Sequence, residues 1–373
     1  MNIACDIRVF LSGETGVGTY YKNLLNQLAA IDRQNRYLLF SSSWKVRFPL
    51  AKIPGFVNHR LIDARIPVKV LNWLWYHWQY PPLEFFFKEK IAVAHSPTPM
   101  LLPCRGKKII TIHDLFFITN QQLVQPESRS YFRSQLRENV SKADGIICIS
   151  QATRSNLLQM FPSAAAKTRV IHLGVAPFFF ENSGQPSALR KKYLLPEKYI
   201  LFTGTIEPRK NLPTLLQALI KLKQTDIVIP LVIAGSRGWG ANEFLALKKE
   251  LGSQVREIGY VDDADLPFLY RAAQLFVFPS LAEGFGLPLL ESLASGTPVL
   301  CSELPVFHEI GHELPTYFKT TDVPDLVEKI TVLWKQNKET DREKRIAHAR
   351  NFTWQNTAAQ TLAFYQDLAQ GQA

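Results

Sequence analysis

Short apolar runs alternate along the chain with longer segments in which apolar residues recur at helical spacing. Most of the short runs are continuously apolar, which is typical of strands covered on both faces of a sheet. Strands that alternate with helices in this way predict βαβ units and parallel sheets, an α/β fold class. The predicted strands are NIACDIRV, RYLLFS, AVAHS, KIITIHD, GIICIS and RVIHLG in the first half, and KYILFTG, PLVIAG, VREIGYV, LFVFPS and TPVLCS in the second.

The alternation is interrupted once, by the polar segment ENSGQPSALRKK at residues 181–192. We therefore place a domain boundary near residue 178, with a first domain over residues 1–178 and a second over residues 179–352. The segment FTWQNTAAQTLAFYQDLAQ predicts an amphipathic helix, so residues 353–373 are expected to form a C-terminal helix that packs back toward the first domain. A chain of 373 residues suits two α/β domains better than one hydrophobic core.

The cysteines and the first residues bear on the cellular compartment. Cys5, Cys148 and Cys301 lie in apolar strand-like runs, and no C-x-x-C pair involves them or Cys104, which predicts buried free thiols in a reducing compartment. No run approaches the ~20 apolar residues that span a bilayer. The start, MNIACDIRVF, lacks the basic and apolar regions of a signal peptide. We therefore expect a cytoplasmic protein.

The net charge of +11 is confined to the first half of the chain. Residues 1–180 carry 22 Lys and Arg against 10 Asp and Glu, whereas residues 181–373 carry 21 against 22. An anionic partner is therefore expected for the first half: a membrane surface, a phosphorylated acceptor or nucleic acid. Solubility alone is the alternative explanation of the charge.

Tryptophans and phenylalanines are concentrated within this basic half. The stretch RIPVKVLNWLWYHWQYPPLEFFFKEK, residues 65–90, combines Trp73, Trp75 and Trp78 with flanking lysines. Aromatic side chains beside cations suit a membrane interface, so we expect peripheral contact with the anionic inner membrane face. The alternative is that these aromatics form a helix-packing core beneath a basic surface.

The segment LFVFPSLAEGFGLPLLESLASGTPVLCS predicts a strand that ends at Ser280, a loop, and a helix that begins near Leu287. Ligands of open α/β sheets bind at this carboxyl edge. Glycines on both sides of Phe285 let backbone N–H groups approach a ligand, and the helix N-terminus adds positive partial charge. Glu283 and Glu291 place carboxylates nearby, which favours a ligand with phosphates and hydroxyls, such as a nucleotide-sugar. A structural turn with surface glutamates is the alternative.

The segment KYILFTGTIEPRKNLPTLLQAL repeats this arrangement. A predicted strand ends at Gly204, and a helix begins near Asn211 after a loop that contains Arg209 and Lys210. Two cations in such a loop can neutralise a pyrophosphate leaving group. The alternative is a solvated basic turn.

Two further strand ends, in the first half of the chain, carry candidate residues. Gly13, Gly16 and Gly18 lie between the first predicted strand and a helix, without the spacing of the dinucleotide-binding fingerprint. His113 and Asp114 end the strand KIITIHD, from where a side chain can reach a ligand. Core packing or surface exposure is the alternative for both sets.

Together these segments resemble the retaining glycosyltransferases of family 4, which have the GT-B fold of two Rossmann-like domains facing across a cleft. The most specific element is E-x7-E, Glu283 to Glu291 in EGFGLPLLE. The segments TGTIEPRKN, GVG, IHD and FTW match in order and spacing, so the resemblance covers nearly the whole chain.

The resemblance implies a role for each matching residue. Glu283, His113 and Asp114 are the expected catalytic residues, with Glu283 and His113 contacting the transferred sugar. The expected donor-binding residues are Gly16, Gly18, Arg209, Lys210, Gly284, Phe285, Gly286, Leu287 and Glu291. Arg209 and Lys210 would hold the diphosphate and Glu291 the ribose hydroxyls. The family needs no divalent metal, so neither a metal nor another cofactor is expected.

The resemblance also implies retaining transfer of a hexose from a GDP- or UDP-sugar, with the leaving diphosphate as base. The turn EPRKN with GSRGWG after the next strand looks most like bacterial mannosyltransferases of surface polysaccharide synthesis, which favours GDP-mannose. Glucose, galactose and rhamnose donors stay open, and the acceptor is a glycan or a polyprenyl-diphosphate-linked sugar. The alternatives are a nucleotide-sugar epimerase of the same fold and a non-catalytic nucleic-acid-binding protein. The second is disfavoured because no helix-turn-helix or RNA-recognition signature occurs.

Overall fold

A computed structural model describes residues 1–11, 15–119, 135–181 and 186–371 of the chain. The chain forms two compact units, each described separately below. Unit 1 comprises Met1–Gly174 together with Thr353–Ala373, and unit 2 comprises Val175–Phe352. The first unit ends at Gly174 rather than at residue 178, because the Val175 N–H already donates to the Phe352 carbonyl (3.0 Å), inside unit 2.

Unit 1 contains a seven-stranded parallel sheet in the order β3-β2-β1-β4-β5-β6-β7 among its described residues. Its strands are β1 Asn2–Asp6, β2 Arg36–Ser42, β3 His59–Ala64, β4 Val93–Ser96, β5 Lys107–Ile112, β6 Gly145–Cys148 and β7 Thr168–Val170. Its helices are α1 Gly16–Ile31, α2 Val68–Trp78, α3 Leu83–Phe87, α4 Phe116–Thr119, α5 Gln151–Met160 and α14 Trp354–Gln370, and residues 135–142 are also helical.

Unit 2 contains a six-stranded parallel sheet in the order β10-β9-β8-β11-β12-β13. Its strands are β8 Ile200–Thr203, β9 Leu231–Ala234, β10 Val255–Gly259, β11 Leu275–Phe278, β12 Val299–Ser302 and β13 Thr316–Phe318. Its helices are α6 Pro186–Lys192, α7 Leu212–Lys223, α8 Asn242–Leu251, α9 Leu266–Ala272, α10 Leu287–Ala294, α11 Pro305–Gly311, α12 Val323–Lys335 and α13 Arg342–Ala349.

The strand order reverses direction at one point in each sheet, between β1 and β4 in unit 1 and between β8 and β11 in unit 2. Open α/β sheets bind ligands at the carboxyl ends of strands beside such a switch point. In unit 2, the loops after β8 and β11 are the two loops that carry Arg209, Lys210 and Glu283. The sheet order therefore brings these two loops together.

Two strands, β3 and β13, were not among the predicted strands. β3 (HRLIDA) is an edge strand with polar residues and partial burial, and β13 (TYF) is an edge strand of three residues. Edge strands bury less apolar surface than central ones, so neither presents the continuous apolar run that marks the others. The four cysteines are buried and free, as predicted.

Helix α14 packs on unit 1 through a buried polar network as well as apolar contacts. The Tyr365 hydroxyl lies 2.5 Å from Nδ1 of His95, and His95 Nε2 lies 2.8 Å from the Thr111 hydroxyl. Gly145 and Gly174 leave room for the helix, since an added Cβ would lie 2.6 Å from Leu368 Cδ1 and 2.1 Å from the Trp354 nitrogen, respectively.

Candidate active site

The loop after β11 presents Glu283 directly before the N-terminus of α10. Gly286, the N-cap of α10, has φ +95°, and an added Cβ would lie 2.8 Å from the Phe307 ring, so glycine is required there. Gly284, Phe285 and Gly286 are buried, and Leu287 is half-buried at the first helical position.

The loop after β8 forms a short 3-10 helix, Pro208–Lys210, which delivers two cations to the same place. Asn211 follows in the left-handed conformation (φ 52°) and begins α7. The Leu281 N–H donates to the Arg209 carbonyl (2.8 Å), so a backbone hydrogen bond joins this loop to the loop after β11.

Glu283 lies between these two cations. Lys210 Nζ is 2.6 Å from Glu283 Oε1, and Arg209 Nη1 is 3.2 Å from Oε2. Ser280 donates its hydroxyl to Oε1 (2.9 Å), and Arg209 also reaches the Glu207 carboxylate (2.9 Å). The structure therefore brings together three predicted residues, two of which the resemblance assigns to phosphate and one to sugar.

The Glu283 cluster, as we call Glu207, Arg209, Lys210, Ser280 and Glu283, is largely withdrawn from water. The side chains of Lys210 and Glu283 are 10% and 9% exposed. Burial raises the pKa of Glu283, but the adjacent Lys210 and Arg209 outweigh it, so that this pKa lies below its ordinary value. Glu283 is an ionised carboxylate that holds two cations at the carboxyl edge of the sheet.

Glu291, one turn into α10, has a contrasting environment. The Tyr270 hydroxyl donates to Glu291 Oε2 (2.9 Å) and also lies 2.7 Å from the Thr203 hydroxyl. Burial raises the pKa of Glu291 to about 7, although the hydrogen bond from Tyr270 lowers it. No Lys or Arg side chain is among the groups that shift the pKa of Glu291. This carboxyl group therefore holds a proton near neutral pH more readily than Glu283 does.

In unit 1, His113 follows β5 and is held in place by two neighbours. Its Nε2 lies 2.9 Å from the Pro97 carbonyl, which can only accept, so Nε2 carries the proton and Nδ1 is an acceptor. Burial lowers the pKa of His113 to about 4. The ring also packs edge-on against Tyr20 of α1, with centroids 4.9 Å apart. His113 is thus a neutral imidazole with a fixed tautomer.

The other candidates in unit 1 lie at helix starts. Asp114 Oδ1 accepts from the Phe116 N–H at 3.3 Å. Gly16 and Gly18 occupy the first turn of α1, where the N-cap Thr15 accepts from the Gly18 N–H (3.1 Å). Gly13 lies outside the described residues.

Sequence reasoning missed four residues of these surroundings: Glu207, Ser280, Tyr270 and Tyr20. Glu207 stands two positions before Arg209 in EPRK, so its proximity could have been read from the loop. Tyr270 lies 21 positions from Glu291, and no local pattern signals that contact.

Two patterns that bind metals in other proteins occur in unit 2, HEIGH at residues 308–312 and Asp263–Ala264–Asp265. Helix α11 ends at Gly311 and His312 has φ 51°, so the two histidines do not share a helical face. Asp265 Oδ2 accepts from Lys192 and Tyr193, each at 2.6 Å. Among the residues that the structure describes, no group of three or more His, Cys, Asp or Glu side chains could hold a metal ion.

The aromatic stretch of unit 1 is divided between core and surface by α2. Leu71 and Trp75 are buried, whereas Trp73 and Trp78 are exposed by 50% and 64%, with ring centroids 5.0 Å apart. Phe85, on α3, is also exposed and lies beneath Lys88 Nζ, 4.5 Å from the ring centroid. No helix within the described ranges is both long and apolar enough to cross a membrane.

Two protein-family models, both of glycosyltransferases, match the chain in succession. Residues 15–177 match the model described as Glycosyltransferase Family 4. Residues 187–352 match the model described as Glycosyl transferases group 1. The chain belongs to the family 4 glycosyltransferases.

Relatives of this glycosyltransferase cover nearly its full length. The Escherichia coli protein named O-antigen chain mannosyltransferase B is 31% identical over 368 residues, which cover 95% of this chain and 96% of that protein. Sucrose-phosphate synthase from Thermosynechococcus elongatus superposes with a TM-score of 0.76 at 22% identity, covering 99% of both chains. Anabaena HepE, in complex with UDP and glucose, gives a TM-score of 0.73 at 17% identity, covering 99% of this chain and 100% of that one. The two Rossmann-like units therefore have the GT-B fold, as predicted.

Proposed function

We propose that this glycosyltransferase moves a hexose from a nucleotide-sugar to a glycan or lipid-linked acceptor in cell-surface polysaccharide synthesis. The observation that carries the proposal is the Glu283 cluster, which places a buried lysine and a partly buried arginine at the switch point of a sheet in a family 4 chain. Buried cations facing a developing diphosphate stabilise the leaving group without reorganisation during the reaction.

The donor site is proposed to lie over the loops after β8 and β11. Arg209 and Lys210 bind the diphosphate, which takes over part of the charge that Glu283 now neutralises. Glu291 accepts hydrogen bonds from the ribose, and the N–H groups of the Gly284–Gly286 turn bind sugar hydroxyls. GDP-mannose is the favoured donor, because the Escherichia coli relative that is 31% identical to this chain is named as a mannosyltransferase.

The proposed reaction proceeds with retention at the anomeric carbon and without a divalent metal. The bond between sugar and phosphate breaks, the acceptor hydroxyl attacks from the same face, and its proton passes to the leaving diphosphate. Glu283, once its cations turn to the diphosphate, stabilises the positive charge that develops on the sugar. His113 accepts a hydrogen bond from a substrate hydroxyl through Nδ1, since Nε2 is committed to Pro97. Asp114 and the first turn of α1, with Gly16 and Gly18, are proposed to contact substrate as well.

A further part of the proposal concerns the membrane. Residues 43–83 contain six Lys and Arg and one acidic residue, Asp63, which is 13% exposed and lies 3.7 Å from Arg47. Trp73 and Trp78 add exposed aromatic surface to this basic region, and Phe85, just beyond it, is exposed as well. Aromatic rings beside cations match the interface of an anionic bilayer. Unit 1 is therefore proposed to rest on the inner membrane face, where a polyprenyl-diphosphate-linked acceptor is available.

The test is a transfer assay with purified protein. GDP-mannose, GDP-fucose, UDP-glucose and UDP-galactose are each supplied with EDTA, with and without a polyprenyl-diphosphate-linked glycan, and released nucleotide and product are measured. We expect acceptor-dependent release of GDP from GDP-mannose. Lys210→Ala should abolish release, and the exposed Lys221→Ala, on the helix that follows the same loop, should not. Release of nucleotide without acceptor and without a glycosylated product would instead indicate the epimerase alternative.

A further inference from the structure

Unit 2 has a cavity of about 320 Å³ beside the residues that lead into the amino ends of β11 and β12. The loops that carry the Glu283 cluster leave the opposite, carboxyl ends of β8 and β11. We call this cavity the rear pocket; its lining includes Arg271, Ser295, Thr297, Lys338, Glu339 and Arg342.

The rear pocket is cationic. Three basic side chains line it against one carboxylate, Glu339, whose side chain is 58% exposed and lies 3.4 Å from Arg342. Behind the pocket Arg345 is 5% exposed and donates to the backbone carbonyls of Gly296, Thr340 and Lys338 at 2.6–3.0 Å. These carbonyls carry no net charge, so Arg345 adds a positive charge behind the pocket. Burial lowers the pKa of Arg345, while the nearby Asp341 and Glu339 act to raise it.

Helix capping accounts for some of these cations. Lys338 Nζ donates to the Arg271 carbonyl (2.8 Å) at the end of α9, where cations stabilise the helix dipole. Capping does not account for Arg342, whose hydrogen-bonding and ionic contacts are with the exposed Glu339 and Glu343. The aliphatic part of the Arg342 side chain packs against Gly296, where an added Cβ would lie 2.7 Å from Arg342 Cγ.

A buried hydroxyl provides a second observation. Ser295 is one of the residues that line the pocket; it is 2% exposed, and its buried Oγ has no hydrogen-bond partner among the described residues. A buried hydroxyl without a partner costs free energy, and a ligand oxygen in the pocket would recover it. Hydroxyl and guanidinium donors together match a phosphate group.

The neighbouring cations also repel one another. Burial lowers the pKa of Arg271, and Arg342 lowers it further. Burial likewise lowers the pKa of Lys338; Glu339 opposes this, while Arg190 and Arg342 add to it. A bound anion would relieve this repulsion, and because the pocket is partly buried, salt would screen the attraction less than at an open surface.

We propose that the rear pocket binds a phosphate group, either free phosphate or one carried by a small phosphorylated metabolite. Arg342 and Arg271 supply the positive charge, and Ser295 Oγ supplies a hydrogen bond. The proposal does not depend on the transferase reaction, and it gives unit 2 a second anion site at the edge of the sheet away from the donor loops.

The test measures binding of inorganic phosphate by calorimetry, at ionic strength held constant with chloride. Arg342→Gln and Ser295→Ala should each weaken binding, the former by about tenfold or more, because it removes a charge-assisted contact. Lys344→Gln is the matched control, since it removes one charge from the exposed side of the same helix, α13, and should leave the Kd unchanged. The change Lys210→Ala, in the donor loops, should also leave it unchanged.

Each outcome decides the proposal. The rear pocket is supported if Arg342→Gln weakens phosphate binding and Lys210→Ala leaves it unchanged. This result counts whether or not the protein turns over a nucleotide-sugar. Loss of phosphate binding in Lys210→Ala, or no phosphate binding at all, overturns it. A hexose phosphate that binds more tightly than inorganic phosphate identifies a metabolite as the source, and equal affinities identify free phosphate. If Arg342→Gln does not fold, Ser295→Ala decides the question alone.

Discussion

At the residue scale, Glu283 and Glu291 show how surroundings divide two carboxyl groups of one loop and helix. Lys210 and Arg209 lie within 3.2 Å of Glu283, whereas Glu291 has the Tyr270 hydroxyl. The pKa of Glu283 is lowered and that of Glu291 is raised, so the two groups differ in charge near neutral pH. Such divergence is a common feature of functional sites.

Glu283→Gln should raise the affinity for a nucleoside diphosphate while it lowers turnover. The carboxylate competes with phosphate for Lys210, so its removal should tighten GDP binding by about tenfold, equivalent to ~1.4 kcal/mol. Turnover should fall because the group proposed to stabilise the sugar is lost. Calorimetry without substrate and steady-state kinetics measure the two effects. The exposed Glu250→Gln is the control, since Glu250 lies outside the Glu283 cluster and should leave both quantities unchanged. Unchanged GDP affinity in Glu283→Gln would contradict the competition.

Glu291 should make stability depend on pH. The folded-state pKa of about 7 exceeds the ordinary value of 4.5, so the folded protein binds this proton more tightly. The resulting stabilisation is complete below pH 4.5 and is lost as the pH rises through 7. Urea unfolding should show that the free energy of unfolding falls between pH 5 and pH 8, by roughly 2–3 kcal/mol more in the wild type than in Glu291→Gln. The control Glu250→Gln, at an exposed position, should lose as much stability over this pH range as the wild type. An equal loss in Glu291→Gln would contradict the raised pKa of Glu291.

Sequence reasoning placed Glu283, Arg209 and Lys210 on loops at strand ends, and the structure has them there. It could not show that they form one ionic cluster. Strands β8 and β11 are separated by β9 and β10 in the sequence, and only the reversal of strand order makes them neighbours. Which strands lie side by side is a property of the whole sheet. The residues around a single loop carry no information about it.

At the element scale, α14 depends on two glycines, Gly145 and Gly174, for its packing against the rest of unit 1. Gly174→Ala would place a Cβ 2.1 Å from the Trp354 nitrogen and 2.4 Å from the Thr353 carbonyl carbon, both of them backbone. We expect a loss of ~1–3 kcal/mol in the free energy of unfolding, since backbone atoms there must move. Gly55→Ala, where nothing lies within 4 Å, is the matched control. Denaturant unfolding compares the two variants. Equal stabilities would show that the backbone around Gly174 can move without cost.

The elements that the sequence predicted well are those with the most buried apolar surface. Central strands such as β8 and β11 are fully buried and appear as continuous apolar runs. β3, at the sheet edge, is only partly buried and includes His59, Arg60 and Asp63, so its composition matches that of a loop. Prediction from pattern therefore fails at the edges of the sheets, where burial no longer selects the residues.

At the scale of the whole molecule, the charge difference between the halves of the sequence bears on the membrane. Sedimentation with liposomes should show binding to anionic vesicles at low salt, little binding to neutral vesicles, and release at high salt. Trp73→Ser with Trp78→Ser should reduce the binding. Val228→Ser with Val332→Ser, which removes exposed apolar side chains from unit 2, should not. Binding that is equal for both vesicle types, or absent from both, would remove the membrane from the proposal.

Unit 1 is assembled from two stretches of sequence that flank unit 2, and this imposes an order on biosynthesis. Helix α14 is translated after every residue of Val175–Phe352, so unit 2 can complete its core while unit 1 still lacks a helix. At about 5–20 residues per second, translation of unit 2 delays α14 by on the order of ten seconds or more. During that interval His95, Gly145 and Gly174 face the space that α14 will occupy. A nascent chain in this state leaves uncovered the surface of unit 1 on which α14 packs, and transiently exposed apolar surface makes folding intermediates prone to aggregate.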